Sequence, residues 1–107
     1  MSTNNVVTSM SDDNTTFTVG VNGDFSFSLL NEFKQSYSTD EASSAKNIIV
    51  DMRMTDTVDS SALGMLLNMQ EYLNKADGEI HIINSNEFVS NILRITNFNK
   101  KFSIDEQ

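Results

Sequence analysis

Residues 48–67 run Ile48-Ile49-Val50-Asp51-Met52, then, after Arg53 and Met54, Thr55-Asp56-Thr57, then Val58-Asp59-Ser60-Ser61-Ala62-Leu63-Gly64-Met65-Leu66-Leu67. An apolar run, a short polar loop and a segment of helical apolar periodicity follow one another, which predicts a buried strand, a loop and a helix start. Asp59, Ser60 and Ser61 stand at the positive end of that helix, where hydroxyls and carboxylates cap the first turn. Exposed first-turn N–H groups there are well placed to hold an added phosphate.

Downstream of Ser60, Ala62, Leu66, Met69 and Leu73 form one apolar stripe, and Met65, Met69, Tyr72 and Ala76 form the adjoining one. Gly64, Asn68, Glu71 and Lys75 line the opposite side, with Glu71 four residues before Lys75 in the favourable order for an ion pair. Asp77-Gly78 is expected to end the helix. Asn47 to Met52 is apolar on both faces and predicts a central strand covered on two sides. Phe17 to Val21 alternates as a half-buried strand, followed by a turn at Asn22-Gly23-Asp24. A first helix is expected from about Ser26 or Ser28 to Tyr37, and Ser38 to Lys46 reads as a linking loop. Glu79 to Asn84 predicts another strand, Ser85 a cap for a helix carrying Phe88 to Ile95, and Phe102-Ser103-Ile104 a last short strand. This alternation implies right-handed crossovers and an α/β fold: a mostly parallel central sheet with about three helices packed against it. Residues 1–16 are polar and read as a flexible N-terminal segment or a short edge strand around Val6-Val7-Thr8, and 17–107 as the domain.

The strand, loop and Asp-Ser-Ser-small-Leu-Gly run resemble the signature of STAS domains, and more narrowly of the small free-standing anti-sigma factor antagonists of bacteria. The resemblance is strong from Ile48 to Leu73 and looser from Phe17 to Ile104. It implies a STAS-like single domain and makes Ser60 the phosphorylated residue. It also implies that Asp59, Ser61, Ala62, Leu63 and Gly64 support the phosphosite and the partner surface. Ala62 stands where the family most often has Gly. The family's Gly-acid-apolar-Asp turn reads Gly23-Asp24-Phe25-Ser26 here, so Ser26 replaces the expected acid and Asp24 is the remaining acidic neighbour. By position alone Ser60 is an ordinary helix cap; the resemblance makes it a phosphoacceptor. The implied partners are an anti-sigma factor that is also a serine protein kinase, and a cognate serine phosphatase. The alternative is a STAS signalling module whose partner belongs to another signalling complex or a transport system.

Composition narrows the field further. The 107 residues suit one domain, and the net charge of −8, from fifteen acidic and seven basic residues, disfavours nucleic acid and anionic membranes. The same acidity suits a partner with a basic patch, and equally serves plain solubility. There is no Cys, and the start Met1-Ser2-Thr3-Asn4-Asn5 has neither the basic region nor the apolar core of a secretory signal, so a cytoplasmic protein is expected. A monomer is expected; neither cofactor nor metal is, since the acidic residues show no ligand spacing and no glycine-rich phosphate loop is present. A serine hydrolase would need His81, the single histidine, to face Ser60 with a carboxylate behind it, and no Gly-x-Ser-x-Gly elbow exists. No enzymatic activity is therefore expected. The six methionines, Met52, Met54, Met65 and Met69 among them, read mostly as core filling, with Met54 or Met65 as candidates for an adaptable surface.

Overall fold

The computed structural model describes residues 5–106. The expectation of a flexible start falls partly on residues 1–4, which lie outside the described residues. The elements in order are β1 (Val6–Met10), β2 (Thr16–Val21), β3 (Gly23–Phe25), α1 (Leu30–Tyr37), α2 (Asp40–Ser44), β4 (Asn47–Asp51), β5 (Thr55–Val58), α3 (Ser60–Tyr72), β6 (Ile80–Ser85), α4 (Glu87–Ile95) and β7 (Ser103–Glu106). Five strands form one sheet in the order β1-β2-β4-β6-β7. Its three central and distal pairings, β2 with β4, β4 with β6 and β6 with β7, are parallel, and β1 closes the near edge antiparallel to β2.

Alternation decides which face is dry. Phe17, Val19 and Val21 of β2, Ile48 and Val50 of β4, and Ile80 and Ile82 of β6 are buried. Their registers bring Phe17 beside Ile48 and Ile80, and Val19 beside Val50 and Ile82, in continuous rows across the sheet. The intervening Thr18, Ile49, Asp51, His81 and Ile83 are only partly buried. Thus β4 is not covered on two sides as its apolar run suggested. Strand order explains this: from β2 to β7 the chain steps always in one direction, and right-handed crossovers then carry every connecting helix to the same face.

Four α-helices are present among the described residues, rather than about three. The additional one is α2, inside the segment read as a loop. Thr39 starts it, its Oγ1 accepting from the Ala42 N–H at 3.2 Å, with Asp40 and Glu41 favourably placed in the first turn. Ala42 and Ala45 are the buried residues that hold it down. The first helix begins as a 3₁₀ turn over Phe27–Leu29 before α1 proper. Its inner face is aromatic, Phe33 lying 4.9 Å from Phe25 and 5.6 Å from Tyr37 between ring centres.

Three local expectations are corrected. α3 ends at Tyr72, before Asp77-Gly78, because Asn74 takes the left-handed conformation (φ 56) and closes the helix. There the Lys75 N–H donates to Gln70 O and the Asn74 N–H to Glu71 O, both at 3.1 Å, the paired bonds of a Schellman end. Lys75 is thereby turned off the helix, and its ammonium donates to the carbonyls of Ala45 and Lys46 instead of pairing with Glu71. The cap of α4 is Asn86, whose Oδ1 accepts from the Val89 N–H at 2.8 Å, whereas Ser85 is buried with its hydroxyl 2.6 Å from that of Ser90.

Candidate functional site

The polar run Thr55-Asp56-Thr57, read as a loop, is most of a strand. β5 pairs in parallel with β3, matching Gly23 with Thr55, Asp24 with Thr57 and Phe25 with Val58. Gly23 permits the turn into β3 by adopting φ 82. Thr55 is 2% exposed and anchors the pair to the main sheet, its Oγ1 donating to the carbonyl of Val21 at 2.6 Å. From the other side, Asn86 of the α4 cap donates to the carbonyls of Thr55 and Asp56. This small ribbon delivers the chain to the start of α3.

There the Asp59 N–H donates to the Phe25 carbonyl at 3.2 Å, so the residues after β3 and those before α3 are tied together. Asp24 and Ser26 thus flank the same point as Asp59 and Ser60. The Asp24 carboxylate accepts from the Thr57 hydroxyl at 3.0 Å, and the Ser26 hydroxyl lies 3.0 Å from that of Ser28. Asp59 is extended (φ −110, ψ −179) and caps α3, its Oδ1 accepting from the Ala62 N–H at 2.9 Å. Ser60, the first residue of the helix, is exposed, and its hydroxyl makes no side-chain hydrogen bond among the described residues. Ser61 is partly buried.

The remaining residues of the motif separate by face. Ala62 is fully buried, so its methyl belongs to the core and offers a partner no direct contact. Leu63 packs against the core while partly exposed. Gly64 is exposed, and a methyl built there would meet nothing within 4 Å. Leu66, Met69 and Leu73 are buried with Ala62, as the first stripe predicts; of the second stripe only Met65 and Met69 are, because Tyr72 and Ala76 face outward. Met52, Met65 and Met69 fill the core, whereas Met54, next to β5, is 64% exposed, and Phe27 beside Ser26 is 65% exposed.

His81 lies elsewhere. It lines a shallow hollow on the open sheet face with Thr16, Asn47, Ile49, Ile83 and Asp105, a hollow that includes neither Ser60 nor Ser61. Among the described residues no cluster of three His, Asp or Glu side chains could hold a metal ion. No helix of the described residues is long and apolar enough to cross a membrane.

Residues 7–107 match the family model of the STAS domain. The chain belongs to that family. A STAS-domain-containing protein of Pseudomonas aeruginosa is 33% identical to it over 92 residues, covering 86% of this chain and 90% of the relative. Among solved structures, the anti-sigma factor antagonist SpoIIAA in its unphosphorylated form superposes with a TM-score of 0.74 at 17% identity, over 92% of this chain and 86% of that one. An anti-sigma factor antagonist from Mycobacterium paratuberculosis gives 0.75 at 19% identity, over 94% and 85%. At such identities the likeness is one of fold.

Within this STAS domain, the feature that sequence reading missed is the β3–β5 ribbon. Its signal was present in Thr55, Thr57 and Val58, three β-branched residues in a run of four. What could not be read was their partner, a three-residue strand more than thirty positions upstream.

Proposed function

We propose that this STAS domain is an anti-sigma factor antagonist that binds an anti-sigma factor with serine kinase activity while Ser60 is unmodified, and is released when Ser60 carries a phosphate. A cognate serine phosphatase resets it. The setting is the bacterial cytoplasm, and the protein acts as a monomeric binding module, not an enzyme.

The observation that carries this reading is the division of labour between Asp59 and Ser60. An ordinary capping serine would spend its hydroxyl on the first-turn amides. Here Asp59 does that, which leaves the Ser60 hydroxyl exposed and unbonded at the helix's positive end. A phosphate on it, with a charge of about −1.5 to −2, adjoins first-turn N–H groups and the favourable end of the helix dipole. The fold common to this chain and the antagonists named above, and the net charge of −8, support the same reading.

The test is phosphorylation by the cognate kinase, with the product mapped by fragmentation mass spectrometry and the unmodified protein used as bait. Phosphate is expected on Ser60 and a kinase-like anti-sigma factor in the eluate. Phosphate on Ser61 alone, or on neither serine, refutes the site. Capture of a transporter or another signalling subunit in place of an anti-sigma factor refutes the sigma pathway.

A further inference from the structure

Asn86, the cap of α4, makes more contacts than capping requires. Its Oδ1 accepts from the Val89 N–H at 2.8 Å, while its Nδ2 donates to the carbonyls of Thr55 at 3.1 Å and Asp56 at 3.2 Å. The partners fix the orientation of this amide: flipped, it would set its NH2 against an N–H and its oxygen against two carbonyls. Asn, Asp and Ser cap helices about equally well, but of the three only Asn carries two donors beside its acceptor.

What Asn86 grips is the ribbon that carries Ser60. β5 pairs with β3 in a two-stranded sheet separate from the five-stranded one. The bond from the Asp59 N–H to the Phe25 carbonyl lies within this ribbon, so it ties Ser60 to the ribbon and not to the rest of the fold. Thr55 joins the ribbon to β2 through the Val21 carbonyl, and Asn86 joins it to the start of α4. Burial of Val58 adds attraction without direction. Asn86 is itself firmly based. It follows β6, an interior strand, and the Ser90 N–H donates to its carbonyl at 2.8 Å. Ser85 before it is buried, with its hydroxyl 2.6 Å from that of Ser90.

We propose that Asn86 is a positioning residue for the phosphoacceptor, holding Ser60 still against the partner so that a charge placed there cannot turn aside. The inference rests on the phosphoswitch reading given above. Two amide donors on two successive carbonyls fix how the ribbon is oriented, which apolar burial alone does not. Without them the ribbon pivots about its Thr55 anchor, and a charged residue 60 turns away from a surface that excludes it. What is lost is then discrimination between the unmodified and the modified form, more than binding itself.

The test crosses Asn86 with Ser60. Asn86→Asp keeps the capping acceptor and turns a carboxylate toward the two carbonyls. Asn86→Ser keeps a cap and only removes the donors, so it leaves the test decisive if the first variant fails to fold. Affinity for the kinase-like anti-sigma factor is measured with and without Ser60→Asp in each background. In the native background Ser60→Asp should cost at least about a hundredfold, and with either Asn86 variant that ratio should shrink at least about fivefold. Plain destabilisation would lower both members of each pair and leave the ratio unchanged. Amide hydrogen exchange needs no partner: in both variants the Asp59 N–H should exchange at least about tenfold faster relative to the amides of β2 and β4. An unchanged ratio beside an intact hundredfold effect, or an unchanged Asp59 N–H, overturns the proposal. If Ser60→Asp binds as tightly as wild type in the native background, the phosphoswitch reading fails instead, and the exchange of Asp59 alone decides whether Asn86 holds the ribbon.

Discussion

Gly64→Ala should make the protein more stable. Gly64 lies inside α3, it is not among the glycines with positive φ, and an added methyl meets nothing within 4 Å. The substitution therefore gains helix propensity of about 1 kcal/mol without strain, much of it by restricting the unfolded chain. For a domain of this size that is a rise in Tm of about 4–6 °C. Calorimetry and urea titration measure it, and the urea m-value should stay unchanged because no core surface is altered. A Tm that is unchanged or lower would refute the reasoning, since position 64 would then be either frayed or in contact with something. The same variant also probes function. An exposed helical glycine that lowers stability for no packing reason is well suited to a face that another backbone approaches closely. If the anti-sigma factor docks there, Gly64→Ala weakens it while the fold gains, so stability and binding move in opposite directions. Equal affinity for wild type and variant would place Gly64 outside the interface.

Two positions earlier the sign reverses: Ala62→Gly should lose about 2 kcal/mol in denaturant titration, from propensity plus a deleted buried methyl, because Ala62 is fully enclosed. Asp59→Ala, which removes the acceptor for the Ala62 N–H, should lower stability by about 1 kcal/mol, and Asp59→Asn by much less; equal losses would show that charge, not capping, is what Asp59 contributes. Ser60→Asp should leave circular dichroism unchanged and Tm within about 6 °C of wild type, since a carboxylate at a helix start is worth at most about 1 kcal/mol. Its affinity for the kinase-like partner, measured by calorimetric titration at several salt concentrations, should fall at least about a hundredfold at every one of them. Tight binding, or an unfolded domain, would refute a local switch.

The parts of the fold legible in the sequence are those whose pattern is set by the element itself. β2 alternates because one face is dry, and the Ala62-Leu66-Met69-Leu73 stripe follows the helical period toward the core. Features decided by a distant partner were not legible. Thr55 to Val58 carries four polar or β-branched residues that suit loop or strand, and only pairing with Gly23–Phe25 selects the strand. The apolar run at β4 suggests two covered faces, but coverage depends on strand order across the whole sheet, which no local window contains. The Glu71–Lys75 pair failed for a related reason: it presumes a helix that continues to Lys75, and Asn74 ends it first. In the site, the register of Asp59 and Ser60 was readable from the motif. Which of the two carries the cap was not, because both residue types favour that position.

That division constrains how the proposed switch operates. The unmodified chain already carries −8, and a phosphate on Ser60 brings it to about −10. A partner with a basic patch would then attract the phosphorylated form at long range at least as strongly as the unmodified one. Release cannot come from the summed field, which has the wrong sign. It has to come from contact: a charge pressed against a surface shaped for a neutral hydroxyl loses its water without gaining a counterion. Contact repulsion of this kind works only if the serine cannot swing aside, and the fold holds it. The residue before it is fixed on both flanks, by its N–H on the Phe25 carbonyl and its carboxylate on the Ala62 N–H, while Asn86 and Thr55 hold the strand that leads to it. Salt screens the long-range term within about 10 Å and leaves the desolvation term largely intact. The hundredfold loss in Ser60→Asp should therefore persist as ionic strength rises, whereas a switch driven by the summed field would fade with it.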